Sequence, residues 1–286
     1  MVKPMNWLYA TGMKWGLGLL YLGIAFLLLL VLPSWLRWPL LVLFLLSFIQ
    51  TYFTQERSAG RYYNLRPLTR WDVPGDPTFL QRLDEASDSL GLRRRPVWAV
   101  AESDWMNAMA VGGTRGVVVF TTAMLKQMPP DELLAVAGHE LSHIRSRDSL
   151  PALVGGSWMG TIGQFSELLA RTGSGGRGHW AAGIVGLIGI FLDMLLLVVG
   201  ALAEAVLAKR SRLQEHMADL TGARVASLGA MIAALSRLEA VHPSRASNEP
   251  RWSPVWIAQH MHASHPPTPE RIAFLQRAAE RGEVVA

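Results

Sequence analysis

No cysteine occurs anywhere in this 286-residue chain, and that absence removes disulfide frameworks, thiolate metal sites and cysteine nucleophiles together. Charge is sparse as well, at 17% of residues against 50% hydrophobic, which excludes disorder and argues against an ordinary soluble enzyme. Glycine and proline number 26 and 16 without any period, so collagen-like and low-complexity classes are excluded too. With no thiolate available, a bound metal must rest on His, Asp or Glu. The net charge of +5 is spread along the chain without a recognition motif, and it fits the basic flanks of membrane spans rather than nucleic-acid binding.

What is present is long apolar runs. Trp15 to Leu32 is almost wholly apolar and closed by Pro33, long enough as a helix to cross about 30 Å of hydrocarbon. No small-residue cleavage site follows, so the segment is expected to stay attached rather than act as a signal peptide. A second run, about Leu36 to Phe53, carries only Arg37 as a charge and has Trp35 and Trp38 suited to an interface. A third, Pro151 to about Leu169, is weakened by Gln164 and Glu167, and a fourth, Trp180 to about Ala203, contains Asp193. Asp193 reads either as a functional ionisable group or, more simply, as half of a buried polar pair. Lys3, Lys14, Arg57, Arg61, Arg66, Arg70, Lys209, Arg210 and Arg212 lie on one side of these runs, and Arg37, Arg171 and Arg177 on the other. The positive-inside rule then places both termini and the polar segments in the cytoplasm.

Between the runs the chain changes character. Phe79 to Leu90 reads as an amphipathic helix, ended by Arg93-Arg94-Arg95-Pro96, a solvated helix end, before a strand over Val97 to Ala101. Asn107 to Val111 and Val117 to Thr121 flank Gly112-Gly113-Thr114-Arg115-Gly116 and read as a β-hairpin. Pro129-Pro130-Asp131-Glu132 supplies a proline and two acids for the first turn of a helix reaching about Ser146. The last 80 or so residues have helical character.

That helix carries His139-Glu140-Leu141-Ser142-His143. Histidines four apart share a face, so both rings can reach one ion, while Glu140 is turned aside toward metal-bound water and suits a general base. Two surface histidines on a helix are the plain alternative. A third ligand is expected downstream: Glu215 is favoured because Asp219, four residues on, can accept the second ring N–H of a ligating histidine, and Glu204 is the rival. His216 turns away from that face and reads as packing or surface, while His179, His242, His260 and His262 carry no spacing signal.

His139-Glu140-Leu141-Ser142-His143 with Arg147-Asp148, Glu215-His216-Met217-Ala218-Asp219, and His265-Pro266-Pro267-Thr268-Pro269-Glu270-Arg271 resemble the three signature blocks of the HtpX and CAAX prenyl protease family of membrane zinc metallopeptidases. The resemblance covers nearly the whole chain. It implies a mainly α fold with a small β-sheet, a zincin-like (gluzincin) metallopeptidase domain combined with four transmembrane helices in two hairpins. The segments are then 1–56 and 151–208 for the hairpins, 57–150 for the catalytic part with its substrate-binding strand, and 209–286 for the third ligand and the His-Pro-Pro block.

By the same matching one Zn2+ sits on His139, His143 and Glu215, with Glu140 as base. His265 donates to the oxyanion of the tetrahedral intermediate, and Arg271 joins the catalytic set. The family's Asn-Ala-Phe-Ala edge strand, which pairs with substrate backbone, maps onto Asn107-Ala108-Met109-Ala110, where Met109 replaces the usual aromatic. The partners implied are polypeptide substrates, misfolded membrane proteins among them, and a lipid bilayer at the bacterial inner membrane. Two other functions compete: a non-catalytic membrane scaffold, against which intact Glu140 argues, and site-specific processing of prenylated C-termini, against which only four spans argue.

Overall fold

A computed structural model describes residues 34–148, 213–241 and 266–284, with isolated helical positions at 153, 157, 161 and 167. The first and fourth apolar runs, Asp193, Glu204, His179, His242, His260, His262 and His265 lie outside the described residues.

The described residues fall into two compact units, one built from 54–148, 213–241 and 266–284, the other from 34–53 and the isolated positions. In the second, the apolar run after Leu36 is helical as part of α1 (Ser34–Tyr62). It exposes Trp38, Val42, Leu43, Leu45, Leu46, Ile49 and Phe53, and Phe44, Phe48 and Tyr52 form a ring ladder at helical spacing. Arg37 and Pro39 at one end and Gln50, Gln55 and Glu56 toward the other interrupt its apolar character. Among the described residues, no helix is long and apolar enough to cross a membrane.

The first unit is a small sheet covered by helices, and the whole is mainly helical. Its elements are β1 (Arg66–Pro67), α2 (Phe79–Ser89), β2 (Val97–Ala101), β3 (Ala108–Val111), β4 (Val117–Thr121), α3 (Thr122–Gln127), α4 (Pro130–Ser146), α5 (213–225), α6 (Leu228–Val241) and α7 (Thr268–Glu280). The sheet runs β1-β2-β4-β3, with β2 and β4 parallel and the outer strands antiparallel to their neighbours. The expected hairpin is therefore present, with Met109 opposite Val119 and Val111 opposite Val117.

Alternation along each strand divides the side chains between two faces. Trp98, Val100, Val118, Phe120 and Ala108 join the core beneath α2 and α4, whereas Ala99, Val117, Val119, Met109 and Val111 form a separate cluster on the other face. Strand β3 packs against α4, and Ala108, a small residue, joins the core on that side. Helix α2 buries Phe79, Leu83 and Ala86 at one-turn spacing, and Arg95 closes it by donating to Asp84 and Asp88.

Helix α4 starts at Pro130 and ends at Ser146. Its first turn is held from both sides, since Arg82 pairs with Asp131 and the Arg237 guanidinium forks onto Glu132 at 2.7 and 3.0 Å. Helix α5 crosses it through glycines: a Cβ on Gly138 would lie 2.9 Å from Val225 Cβ and 3.0 Å from Gly222 Cα, and one on Gly222 would strike the Ala135 carbonyl. Helices α5, α6 and α7 share a second core of Leu220, Met231, Leu235, Leu275 and Ala278.

Candidate metal centre

The crossing of α4 and α5 determines what meets there. His139 and His143 project from one face of α4, with their Nε2 atoms 3.2 Å apart. From α5, Glu215 brings Oε2 to 3.4 Å from His139 Nε2 and Oε1 to 3.5 Å from His143 Nε2. One donor atom from each of the three residues falls within 4.8 Å of the others, a set that could hold a metal ion. Two imidazole nitrogens and a carboxylate oxygen are a donor set found in catalytic zinc sites. Glu140, the residue between the histidines, is buried at 7% exposure next to this cluster.

Each histidine is aimed through its other nitrogen. Asp219 Oδ1 lies 2.9 Å from His139 Nδ1, and Asp148 Oδ2 lies 2.9 Å from His143 Nδ1. A carboxylate there holds the proton on Nδ1, leaves Nε2 free to ligate and raises its basicity. Asp219, expected one turn from Glu215 to accept from a motif histidine, stands beside His139. Asp148 is a residue to which sequence reasoning gave no role. Its placement follows from the end of α4, where Arg147 adopts a left-handed conformation (φ 51°) and Asp148 N–H donates back to the His143 carbonyl. The chain reverses at Arg147, so a residue five positions on returns beneath the ring. The Arg147-Asp148 pair after the second histidine was the available signal.

Arg271, in the first turns of α7, does not point at an open cleft. Its Nε and Nη2 fork onto the two Asp219 oxygens at 2.9 and 2.5 Å, and Nη2 lies 3.8 Å from Glu215 Oε2. Arg271, Asp219, His139 and Glu215 are all buried. A buried carboxylate needs such compensation: burial raises the Asp219 pKa, and the Arg271 and His139 bonds outweigh it, leaving that carboxyl below its ordinary value. Burial likewise disfavours a charged His139, yet Asp219 and then Glu215 more than offset it. With no cation to compete, the ring pKa is pushed up to about 10. This pocket draws positive charge to one point, as a proton or as a metal ion.

Of the remaining expected residues, Asn107 precedes the edge strand and is clamped to β4, with Thr121 Oγ1 accepting from Asn107 N–H at 2.9 Å and donating to Asn107 O at 3.0 Å. Ala108, Met109 and Ala110 lie in β3, which among the described residues has a sheet partner on one side only. His216 stacks on Phe274 with ring centroids 4.2 Å apart and is a packing residue. His265 falls outside the described residues, and Pro266 beside it is buried.

The family model described as peptidase family M48 matches residues 77–279, a span that contains strands β2 to β4, α4 and all the described cluster residues. The Protease HtpX homolog of Acidiphilium cryptum (strain JF-5) is 30% identical over 249 residues, 80% of this chain and 82% of the relative. The Protease HtpX of Xanthomonas axonopodis pv. citri (strain 306) is 30% identical over 249 residues, covering 82% of each. Among solved structures, S. mikatae Ste24p is similar with a TM-score of 0.57 at 17% identity, covering 96% of this chain and 67% of that one, a likeness of fold.

Proposed function

The chain belongs to peptidase family M48 and is a metalloprotease; from that premise we propose that it is a membrane-anchored zinc endopeptidase acting on misfolded membrane proteins. The observation that carries the catalytic part is the meeting of buried His139 and Glu215 with half-buried His143, with each imidazole backed by its own carboxylate. The donor set fits zinc. Bound there, the ion would lower the pKa of a coordinated water toward about 7 and polarise the scissile carbonyl.

The chain's own residues divide the remaining tasks. Glu140 accepts the proton of the attacking water and delivers it to the departing amine. His265, following Asn- and His-type donors in other oxyanion sites, supplies a hydrogen bond that forms as charge develops on the carbonyl oxygen. Asp219 and Asp148 fix the ligand tautomers, and Arg271 holds Asp219 in place, which makes it a positioning residue. The open edge of β3, from Ala108 through Ala110, aligns a substrate as an added strand through main-chain bonds.

Membrane anchoring is supported by the four apolar runs and by basic residues clustered on one side of them. The two hairpin segments, 1–56 and 151–208, would bracket a cytoplasmic catalytic part, and an enzyme so placed meets damaged membrane proteins at their cytoplasmic ends. The test is cleavage of an unfolded membrane protein by the purified chain, with and without zinc, alongside Glu140→Gln. We expect zinc-dependent cleavage by the parent protein, and in Glu140→Gln full zinc content with nearly all turnover lost. Substantial residual cleavage by Glu140→Gln removes the general base, and cleavage indifferent to zinc removes the metal centre.

A further inference from the structure

One contact in the first unit lies outside the chemistry above. Glu56, in the last turns of α1, reaches the β3–β4 turn and accepts the backbone N–H groups of Arg115 and Gly116 on Oε1, both at 2.9 Å. Thr114 Oγ1 stands 3.5 and 3.4 Å from its two oxygens. The turn is shaped for this approach: Gly113 and Gly116 have φ of 146° and 89°, and a Cβ on Gly113 would strike the Glu56 carboxylate. Successive turn amides facing one carboxylate form an anion cradle, here filled by a side chain 59 and 60 positions away.

The turn is also gripped elsewhere. The Gly116 carbonyl accepts Val97 N–H at 2.9 Å, tying it to β2, and Arg115 Nε donates to the Arg95 carbonyl at 2.6 Å. Gly116 packs against Ile144, the residue after the ligand His143 on α4, where an added Cβ would lie 3.0 Å from Ile144 Cδ1. At the far end of β3, Thr121 holds Asn107. The edge strand is thus fastened at both ends, its outer side carries no strand among the described residues, and Glu56 is one of the groups that hold its turn end.

We propose that Glu56 is a positioning residue for substrate binding: by clamping the Arg115 and Gly116 amides it fixes the height and direction of β3, so that an extended peptide pairs with Ala108–Ala110 in register with the cleft. This rests on the reading of β3 as the substrate strand. The clamp acts on the turn that ends β3, so the cost of its loss falls on binding a long extended substrate rather than on Glu140 or the three ligands.

The experiment uses the full-length, zinc-loaded protein in detergent and an unfolded polypeptide substrate, comparing the parent, Glu56→Ala and Glu56→Gln, with amide hydrogen exchange read over 108–117. Glu56→Ala should raise KM about tenfold, the size of one or two lost hydrogen bonds, with kcat within about twofold and zinc content unchanged. Exchange at Arg115, Gly116 and β3 should accelerate. Glu56→Gln keeps an acceptor oxygen and should restore KM and protection. An unchanged KM in Glu56→Ala, or a loss falling on kcat or zinc content instead, overturns the proposal, as does Glu56→Gln behaving like Ala. If the parent cleaves the substrate yet an Ala108→Pro change in the strand leaves KM unaltered, the substrate-strand reading fails instead.

Discussion

At the scale of single residues, the site rests on pairs: each metal-facing imidazole has a carboxylate behind it, and one of those carboxylates has an arginine behind it. His139 and His143 were legible because i, i+4 spacing is a property of the sequence alone, and Asp219 because it lies one turn from Glu215. Asp148 was not legible, since its role comes from a left-handed residue that reverses the chain, and no periodicity encodes that turn. Its importance is testable. Asp148→Ala should weaken zinc binding by roughly ten- to hundredfold through loss of His143 tautomer control, read by competition with a chromogenic chelator, while Asp148→Asn should restore part of it. Affinity equal to the parent in both variants removes Asp148 from the site.

The raised pKa of His139 gives a second residue-scale prediction. Folding that lifts a histidine from 6.5 to about 10 contributes stability that is complete below about pH 6.5 and lost as pH rises through 10. Chelator-treated protein should therefore lose thermal stability progressively between about pH 7 and 10. Zinc takes the place of the proton, so the zinc-loaded protein should lack that dependence, and metal affinity should rise across the same interval as the competing proton departs. A chelated protein whose melting temperature is flat over this window contradicts the account of the pocket as a cation trap.

At the scale of elements, the hairpin, strand β2 and the start of α4 follow local rules that a sequence displays: alternation, a glycine-rich turn, proline and acids in a first helical turn. What local rules do not display is which elements touch. The two-residue β1 pairs with β2 through Arg66 and Pro67, too short for any pattern, and the closeness of α4 to α5 depends on Gly138 and Gly222 meeting across 80-odd positions. That crossing sets how far Glu215 stands from the histidines. Gly222→Ala would push its methyl into the Ala135 carbonyl, an overpacking cost of about 1–3 kcal/mol, and it should weaken zinc binding together with stability. Gly229→Ala, where the space is open, is the control on the next helix. A Gly222→Ala protein that binds zinc like the parent would show that the helices can separate without moving the ligand.

At the scale of the whole molecule, the two kinds of sequence signal point to different surroundings for different parts of the chain. The catalytic unit has a conventional interior, with Phe79, Leu83, Phe120, Leu133 and Leu141 buried together under charged surfaces. Helix α1 does the opposite, turning Val42, Leu43, Leu46, Ile49 and Phe53 outward. Exposed apolar side chains in such number need a non-aqueous environment or a covering partner, and the sequence supplies a further reason to choose the bilayer: most of the basic residues that flank the apolar runs lie on one side of them. This orientation has a direct test, because a chain without native cysteine accepts single cysteines cleanly. A cysteine at Ser174, in the short loop between the third and fourth runs, should react with a membrane-impermeant maleimide on intact cells, and one at Arg93 only after the membrane is permeabilised. The expectation follows from the basic residues near the ends of the runs, nine on the side of the catalytic unit against Arg37, Arg171 and Arg177 on the other. Labelling at Ser174 that requires permeabilisation, with Arg93 reactive on intact cells, would place the metal centre on the opposite side of the membrane and take cytoplasmic quality control away from this enzyme.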